Sequence, residues 1–251
     1  MNLKLQVGKA LHRVFHGILS SPHFPLLPRT ALGLSWRYDI ARFAGTRDLR
    51  MFFDVGANTG QTCDEILAYF PKACVHAFEP VAATFDELRR HVADNPAVHV
   101  HHMALGREPG SVRIQLQSES QLNSLLYSSQ PGLADTGKFE EVNVGTIDGF
   151  VEDQAIRTID LLKIDAQGAD LDVLLGADQT IKSHRVRFIL CEVGLQPDDP
   201  VNQPFQPLHE HLCGKGMRLC GFYAGGNMGP RYRYACHRDV LYVDPQAVDL
   251  P

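Results

Sequence analysis

Apolar and polar positions change period repeatedly along this chain. From residue 51 an apolar run, "MFFDV", gives way to "QTCDEILAYF", where Ile66, Leu67 and Phe70 recur at helical spacing. A second run, "ACVHAFEP", a second helical pattern, "VAATFDELRRHVAD", and a third run, "AVHVHHMAL", follow. The spacing predicts β-α-β-α-β, for which a parallel sheet with helices on both faces is the economical solution. Residues 110–146 break the rhythm: "SVRIQL" and "FEEVNVGTI" alternate like antiparallel strands around a polar loop over 117–138, long enough to suggest a function. The first rhythm then resumes with strand "IDLLKID", helix "ADLDVLLGADQTIK", strand "VRFILCEV", helix "PFQPLHEHLCGKG" and strands near "RLCGFYA" and "DVLYVD". This is a doubly wound α/β pattern with one insertion.

Upstream, Val7, Leu11, Val14, Phe15 and Ile18 share one helical face while Lys4, Lys9 and Arg13 take others, which predicts a basic amphipathic helix over 3–19. The three prolines of "SSPHFPLLPRT" make a connection after it. The chain therefore divides into a helical extension, 1–49, and one α/β domain, 50–251. Two readings of the helix compete: it packs on the domain or on a dimer partner, or it lies on an anionic membrane surface.

Composition narrows the function classes. With 44% hydrophobic and 21% charged residues and no long apolar run, the chain reads as a soluble protein. The net charge of −5 lacks the basic excess of a nucleic-acid binder; residues 1–50 hold eight Lys and Arg against two Asp, so the basic surplus belongs to the extension. The six cysteines form no CxxC pair and read as reduced thiols, and the N-terminus lacks an unbroken apolar core of a signal peptide. The expected location is the cytoplasm, with the inner membrane face as the surface the basic helix would meet.

The candidate chemistry begins at "DVGANTGQ". In an open α/β sheet ligands bind beyond the carboxyl ends of the strands, and the loop after the first strand opens that crevice. Asp54, Gly56, Asn58, Gly60 and Gln61 occupy it, with free N–H groups expected at the following helix start. The second strand ends in Glu79, 19 residues beyond Gly60, where an acid meets ribose hydroxyls in this geometry. No Lys follows Gly60 as a P-loop requires, and the spacing is GxxxG rather than GxGxxG, which leaves S-adenosylmethionine as the remaining fit.

Three stretches, "FFDVGANTGQT", "VHAFEP" and "IDLLKIDAQGADLDVLLGA" followed by "FILCEV", resemble the FkbM family of class I methyltransferases. The resemblance covers roughly residues 50–245 and implies a Rossmann-like fold: a seven-stranded, mostly parallel sheet whose last strand is antiparallel. It also implies methylation of an oxygen, usually on a sugar or natural product. Carried over, Asp54, Gly56, Asn58 and Gly60 would line the methionine end of the cofactor, Glu79 would bind the ribose, and Met103, Ala104 and Leu105 would lie near the adenine.

A sugar hydroxyl is weakly acidic, so transfer to it calls for a general base. Asp165 and Glu192, ending neighbouring strands, are the candidate catalytic residues; Asp165 serves equally well to orient the cofactor's amino group, and Glu192 to hold substrate hydroxyls. Lys163, two residues before Asp165, is placed for a buried ion pair. Paired carboxylates could also hold Mg²⁺, a reading that ranks behind because no third acidic ligand stands beside them, so no metal ligand is assigned. His209 and His211, and the "HVHH" run at 99–102, read as ordinary histidines. Gln167 departs from the family's usual Val-Glu-Gly, here Ala-Gln-Gly, and is the one pointer to an alternative, a noncatalytic cofactor-binding subunit. Around the acceptor, Asn143, Ser124 and the 117–138 loop could gate, Tyr127 could stack on a sugar, and Arg231 or Arg233 could meet a substrate phosphate or carboxylate. The expected acceptor is a carbohydrate or glycolipid.

Overall fold

The computed structural model describes residues 33, 35–45, 48–116, 137–197, 199, 201–223, 225–228 and 234–248. The basic helix expected over 3–19, Ser124, Tyr127, Arg231 and Arg233 lie outside the described residues. Among those described, no helix is long and apolar enough to cross a membrane, and all six cysteines are unbridged.

Helix α1 (Trp36–Ala44) leads into β1 (Met51–Val55), α2 (Gln61–Tyr69), β2 (Cys74–Phe78), α3 (Ala82–His91) and β3 (Val98–His101). Then come β4 (Ala104–Leu105), β5 (Gly110–Gln115), β6 (Phe139–Gly145), α4 (Ile147–Asp153), β7 (Ile159–Ile164), α5 (Asp170–Leu175), α6 (Asp178–Lys182) and β8 (Val186–Gly194). The chain continues through α7 (Phe205–Gly214), β9 (Arg218–Phe222), β10 (Asn227–Met228), β11 (Tyr234–Ala235), β12 (His237–Val243) and α8 (Pro245–Val248).

Seven strands form one sheet in the order β3-β2-β1-β7-β8-β12-β9. The pairs β3-β2, β2-β1, β1-β7 and β7-β8 are parallel, whereas β12 runs antiparallel between β8 and β9. This is the expected Rossmann-like α/β sheet, seven-stranded and mostly parallel. Strand order reverses between β1 and β7, so their carboxyl ends open a crevice there.

The sheet is buried on both faces, which explains why its strands read as continuous apolar runs. Successive residues alternate between two cores: Phe53, Val55, Leu162 and Ile189 pack on one side, Phe52, Leu161, Leu190 and Leu241 on the other. Trp36, Ile40 and Ala44 of α1 belong to the second core. The boundary expected at 49/50 thus falls inside packed structure; α1 escaped notice because its apolar positions follow a proline-rich stretch.

Three other elements differ from the sequence pattern. The run "AVHVHHMAL" splits into β3, in the main sheet, and β4, which joins β5 and β6 in a three-stranded sheet. The antiparallel pair expected in the insertion is present, with Gly110 opposite Val144 and Gln115 opposite Phe139. The helix expected over 169–182 is two helices that meet at Gly176 and Ala177, where an added Cβ on Gly176 would lie 2.0 Å from the Gly106 carbonyl oxygen. Helix α4 was unanticipated, although its start carries a signal: the Thr146 hydroxyl accepts the Gly149 N–H at 3.0 Å.

Candidate functional site

The turn after β1 is held from below. The N–H groups of Gly56 and Ala57 both donate to the Phe78 carbonyl at 3.0 Å, and Gly60 N–H donates to Ala57 O at 2.9 Å. Gly56 has φ +75° and its missing Cβ would lie 2.0 Å from the backbone oxygen of Asp165. The close approach that the glycine serves is therefore to the end of the neighbouring strand, which brings the β1 and β7 loops together over the crevice. Gly60, at φ +101°, caps α2 and faces Leu88 and His91 of α3.

Between these loops and the β4 segment lies a cavity of about 440 Å³, within the ordinary range for ligand sites. Gly56, Asn58, Gln61, Glu79, Ala104, Asp165 and Glu192, all expected site residues, line it, as do Met103 and Leu105. Asp54 and Gly60 do not. Asp54 is wholly buried on the core side of β1: Lys163 Nζ stands 3.1 Å from one of its oxygens, and the Cys63 thiol meets the other at 3.5 Å. Its place is structural, because an unpaired carboxylate at that depth would be costly.

Glu79 is buried at one end of the cavity. Its carboxylate accepts the backbone N–H of Asn58 at 3.1 Å and of Val81 at 3.0 Å, one on each oxygen. Burial nevertheless raises its pKa to about 7. An ionised carboxylate has about four lone-pair positions, so each oxygen can still accept from a hydroxyl of a vicinal diol. Beside it, Phe78, Met103, Ala104, Leu105 and Ile114 give the cavity an apolar wall suited to a heteroaromatic base. These residues fit a nucleoside.

Across the sheet the polar groups share one face. Asp54 is in register with Lys163, and Lys163 alternates to Asp165; Ile164 pairs with Cys191, which places Glu192 next to Asp165, and Glu192 pairs with Asp239 of β12. Asp165, Glu192 and Asp239 thus form a row over three strands, with Lys163 one step below. Burial opposes the Lys163 charge, but Asp54 and Asp165 outweigh it and its pKa is raised. The ion pair expected at Lys163 is present, at 3.1 Å to Asp54 and 3.6 Å to Asp165. Asp165 also accepts the Gln167 side-chain amide at 2.7 Å. Where the family's usual Glu would repel this carboxylate, Gln167 donates to it.

Glu192 has its pKa raised to about 8, by burial and then by Asp165, Asp239 and Asp170. Its Oε1 lies 3.2 Å from His237 Nε2, which also faces the Gly226 N–H at 3.0 Å. The imidazole either accepts from Gly226 while neutral, with the shared proton on Glu192, or surrenders that bond to donate to an ionised Glu192. Asp239, pushed up to about 6, is shifted chiefly by burial, with Lys163 opposing and Asp165 reinforcing it. His237 and Asp239 escaped the sequence reading because only the register of an antiparallel strand brings them to Glu192. Among the described residues no three His, Cys, Asp or Glu side chains converge in a geometry that could hold a metal ion.

The histidines of "HVHH" do something else. His76 Nδ1 lies 3.0 Å from His101 Nε2, their rings stack, and Phe150 packs edge-on against both. Burial holds both pKa values down to about 4, so the pair is neutral and acts as aromatic packing.

A domain model described as "Methyltransferase FkbM domain" matches residues 54–222. "Methyltransferase 1" of Beauveria bassiana (strain ARSEF 2860) is 28% identical over 158 residues, covering 56% of this chain and 62% of its own length. The "31-O-demethyl-FK506 methyltransferase FkbM" of Streptomyces tacrolimicus is 28% identical over 167 residues, covering 56% of this chain and 64% of its own. The chain thus spans less than two thirds of the curated relatives it matches. Among solved structures, the N-terminal domain of human METTL16 in complex with SAH superposes with a TM-score of 0.47 at 14% identity, over 93% of this chain and 78% of that one.

Proposed function

Because the chain belongs to the FkbM methyltransferase family, we propose that it transfers a methyl group from S-adenosylmethionine to an oxygen, the acceptor being a sugar hydroxyl of a glycolipid, polysaccharide or glycosylated metabolite. The observation that carries this reading is the cavity at the β1/β7 crossover, with Glu79 at one end and Asp165 and Glu192 at the other.

S-adenosylmethionine, when bound, supplies a methyl carbon that an oxygen takes by in-line displacement. Glu79 accepts from the ribose hydroxyls, and the turn at Gly56–Asn58 and Asp165 hold the amino-acid end. Asp165, 3.6 Å from Lys163 and bonded to the Gln167 amide, is placed to orient an ammonium or a hydroxyl. Glu192, its pKa raised to about 8, is the candidate base. Glu192 would take the proton that the acceptor hydroxyl loses on methylation, and His237, 3.2 Å away, would stand in position to accept it in turn. Gln167 gives no reason to prefer a noncatalytic subunit, since its amide leaves the Asp165 carboxylate in place.

The test pairs calorimetry with label transfer. Wild-type protein should bind S-adenosylhomocysteine saturably and move labelled methyl from S-adenosylmethionine onto glycans or glycolipids. In Glu192→Gln, binding should persist while transfer falls. No nucleoside binding by the wild-type protein would refute the methyl-donor site.

A further inference from the structure

A second chamber, of about 290 Å³, adjoins the first, and Thr62, Lys163 and Asp165 line both. Ser35 and Arg37 at the start of α1, Leu190 of β8, Tyr223 just after β9 and Asp239 of β12 also line it. Asp165 therefore stands where the nucleoside cavity and this chamber meet.

The charges in the chamber are unequally engaged. Lys163 is held by Asp54 and Asp165, and Arg37 is ion-paired with Glu65 and lies over the Trp36 ring at 4.3 Å. The Tyr223 hydroxyl donates to Asp39 at 2.8 Å. One group keeps unspent capacity: Ser35 is only 4% exposed, yet its hydroxyl oxygen has no hydrogen-bond partner among the described residues. Asp239 is half-buried on the chamber wall, where burial raises its pKa while the charges of Lys163 and Arg37 favour its ionised form. A buried hydroxyl left this way costs free energy that a hydroxyl-bearing guest would recover, and a half-buried carboxylate facing the chamber offers the same guest an acceptor. A guest bearing negative charge would add to the cost, since it would face Asp239 with both chamber cations already paired.

We propose that this chamber receives the methyl acceptor as a neutral ring bearing several hydroxyl groups, one hydroxyl donating to Asp239 and the reacting hydroxyl reaching past Asp165, where the two cavities meet, toward Glu192 of the first. The assignment rests on the methyl-transfer reading and goes further, by naming the compartment, the specificity residue and the charge of the acceptor.

Binding of methyl glucoside and of its carboxylate counterpart, methyl glucuronide, can be compared by ligand-observed NMR on the full chain saturated with S-adenosylhomocysteine. The glucoside should bind, and the glucuronide about tenfold more weakly, as expected for one charge-assisted contact turned repulsive. Asp239→Asn should weaken the glucoside about tenfold and abolish the discrimination, with S-adenosylhomocysteine affinity unchanged. Equal binding of the two glycosides, binding of neither, or indifference of both to Asp239→Asn would overturn the assignment. Failure of S-adenosylhomocysteine itself to bind would overturn the methyl-transfer reading beneath it, a result the calorimetry shows separately.

Discussion

The two ends of the cavity are built in different ways. The end at Glu79 comes from neighbouring pieces of chain: a turn at 56–60, the strand it folds onto, and an acid that caps both through the N–H groups of Asn58 and Val81. The end at Glu192 draws Lys163, Asp165, Glu192 and Asp239 from three strands widely separated in sequence, set side by side by register. The first is rigid because its backbone groups are bonded to one another. The second concentrates acids on one face, and burial, reinforced by their mutual repulsion, raises the pKa values of Glu192 and Asp239. On the proposed methyl transfer, nucleoside recognition would use the fixed shape of the first end and proton removal the raised pKa of the second.

The largest effect should come from the point where the two ends touch. Gly56→Ala would drive a Cβ into the Asp165 backbone oxygen at a strained φ, and should cost more than about 4 kcal/mol, seen as loss of the cooperative thermal transition. Gly60→Ala is its control: the Cβ would meet only the ends of the His91 and Leu88 side chains, 3.0 and 3.1 Å away, and should cost about 1–3 kcal/mol.

Next in size, Glu192→Gln should lower kcat by about a hundred- to ten-thousand-fold with nucleoside affinity retained. Glu79→Gln should do the reverse, weakening S-adenosylhomocysteine binding roughly tenfold in calorimetry with the protein still folded. If both variants affected binding and kcat alike, the division of labour between the ends would collapse.

A pH series sharpens the same contrast. Glu192 titrates near 8, so kcat/KM should rise as pH climbs toward 8 and then level, a limb missing from Glu192→Gln. Stability should run the other way. An acid with a raised pKa holds in the folded state a proton that the unfolded chain releases, so this contribution to the melting temperature should fall progressively from about pH 4.5 to about pH 8, less so in Glu192→Gln. The smallest effect is expected from Gln167→Glu, which replaces a donor to Asp165 with a like charge: a change within about fivefold in kcat and a shift of the rising limb to higher pH.

The same contrast explains what could be read from the sequence. Gly56, Asn58, Gln61 and Glu79 were legible because a tight turn followed by a strand-end acid is local chemistry, written in consecutive residues. The α/β alternation was legible for the same reason. Asp54 shows the limit of such reading: it stands in the motif, yet its side chain turns to the core to meet Lys163. His237 and Asp239 had no local signal, since their relation to Glu192 exists only once β12 inserts beside β8. Helix α1 was missed for want of a clear start signal, and Ser35 and Arg37 with it.

The insertion of β12 also bears on how the molecule comes into being. Strand β8 is nine residues long and strongly apolar, and β12 pairs with one edge of it from Phe188 to Gly194. During synthesis β8 emerges well before His237, and for that interval its hydrogen-bonding edge is open to any other strand that reaches it. Nascent or truncated chains ending before β12 would therefore be the aggregation-prone forms of this protein, and a chaperone guarding it would have most to do in the interval between β8 and β12.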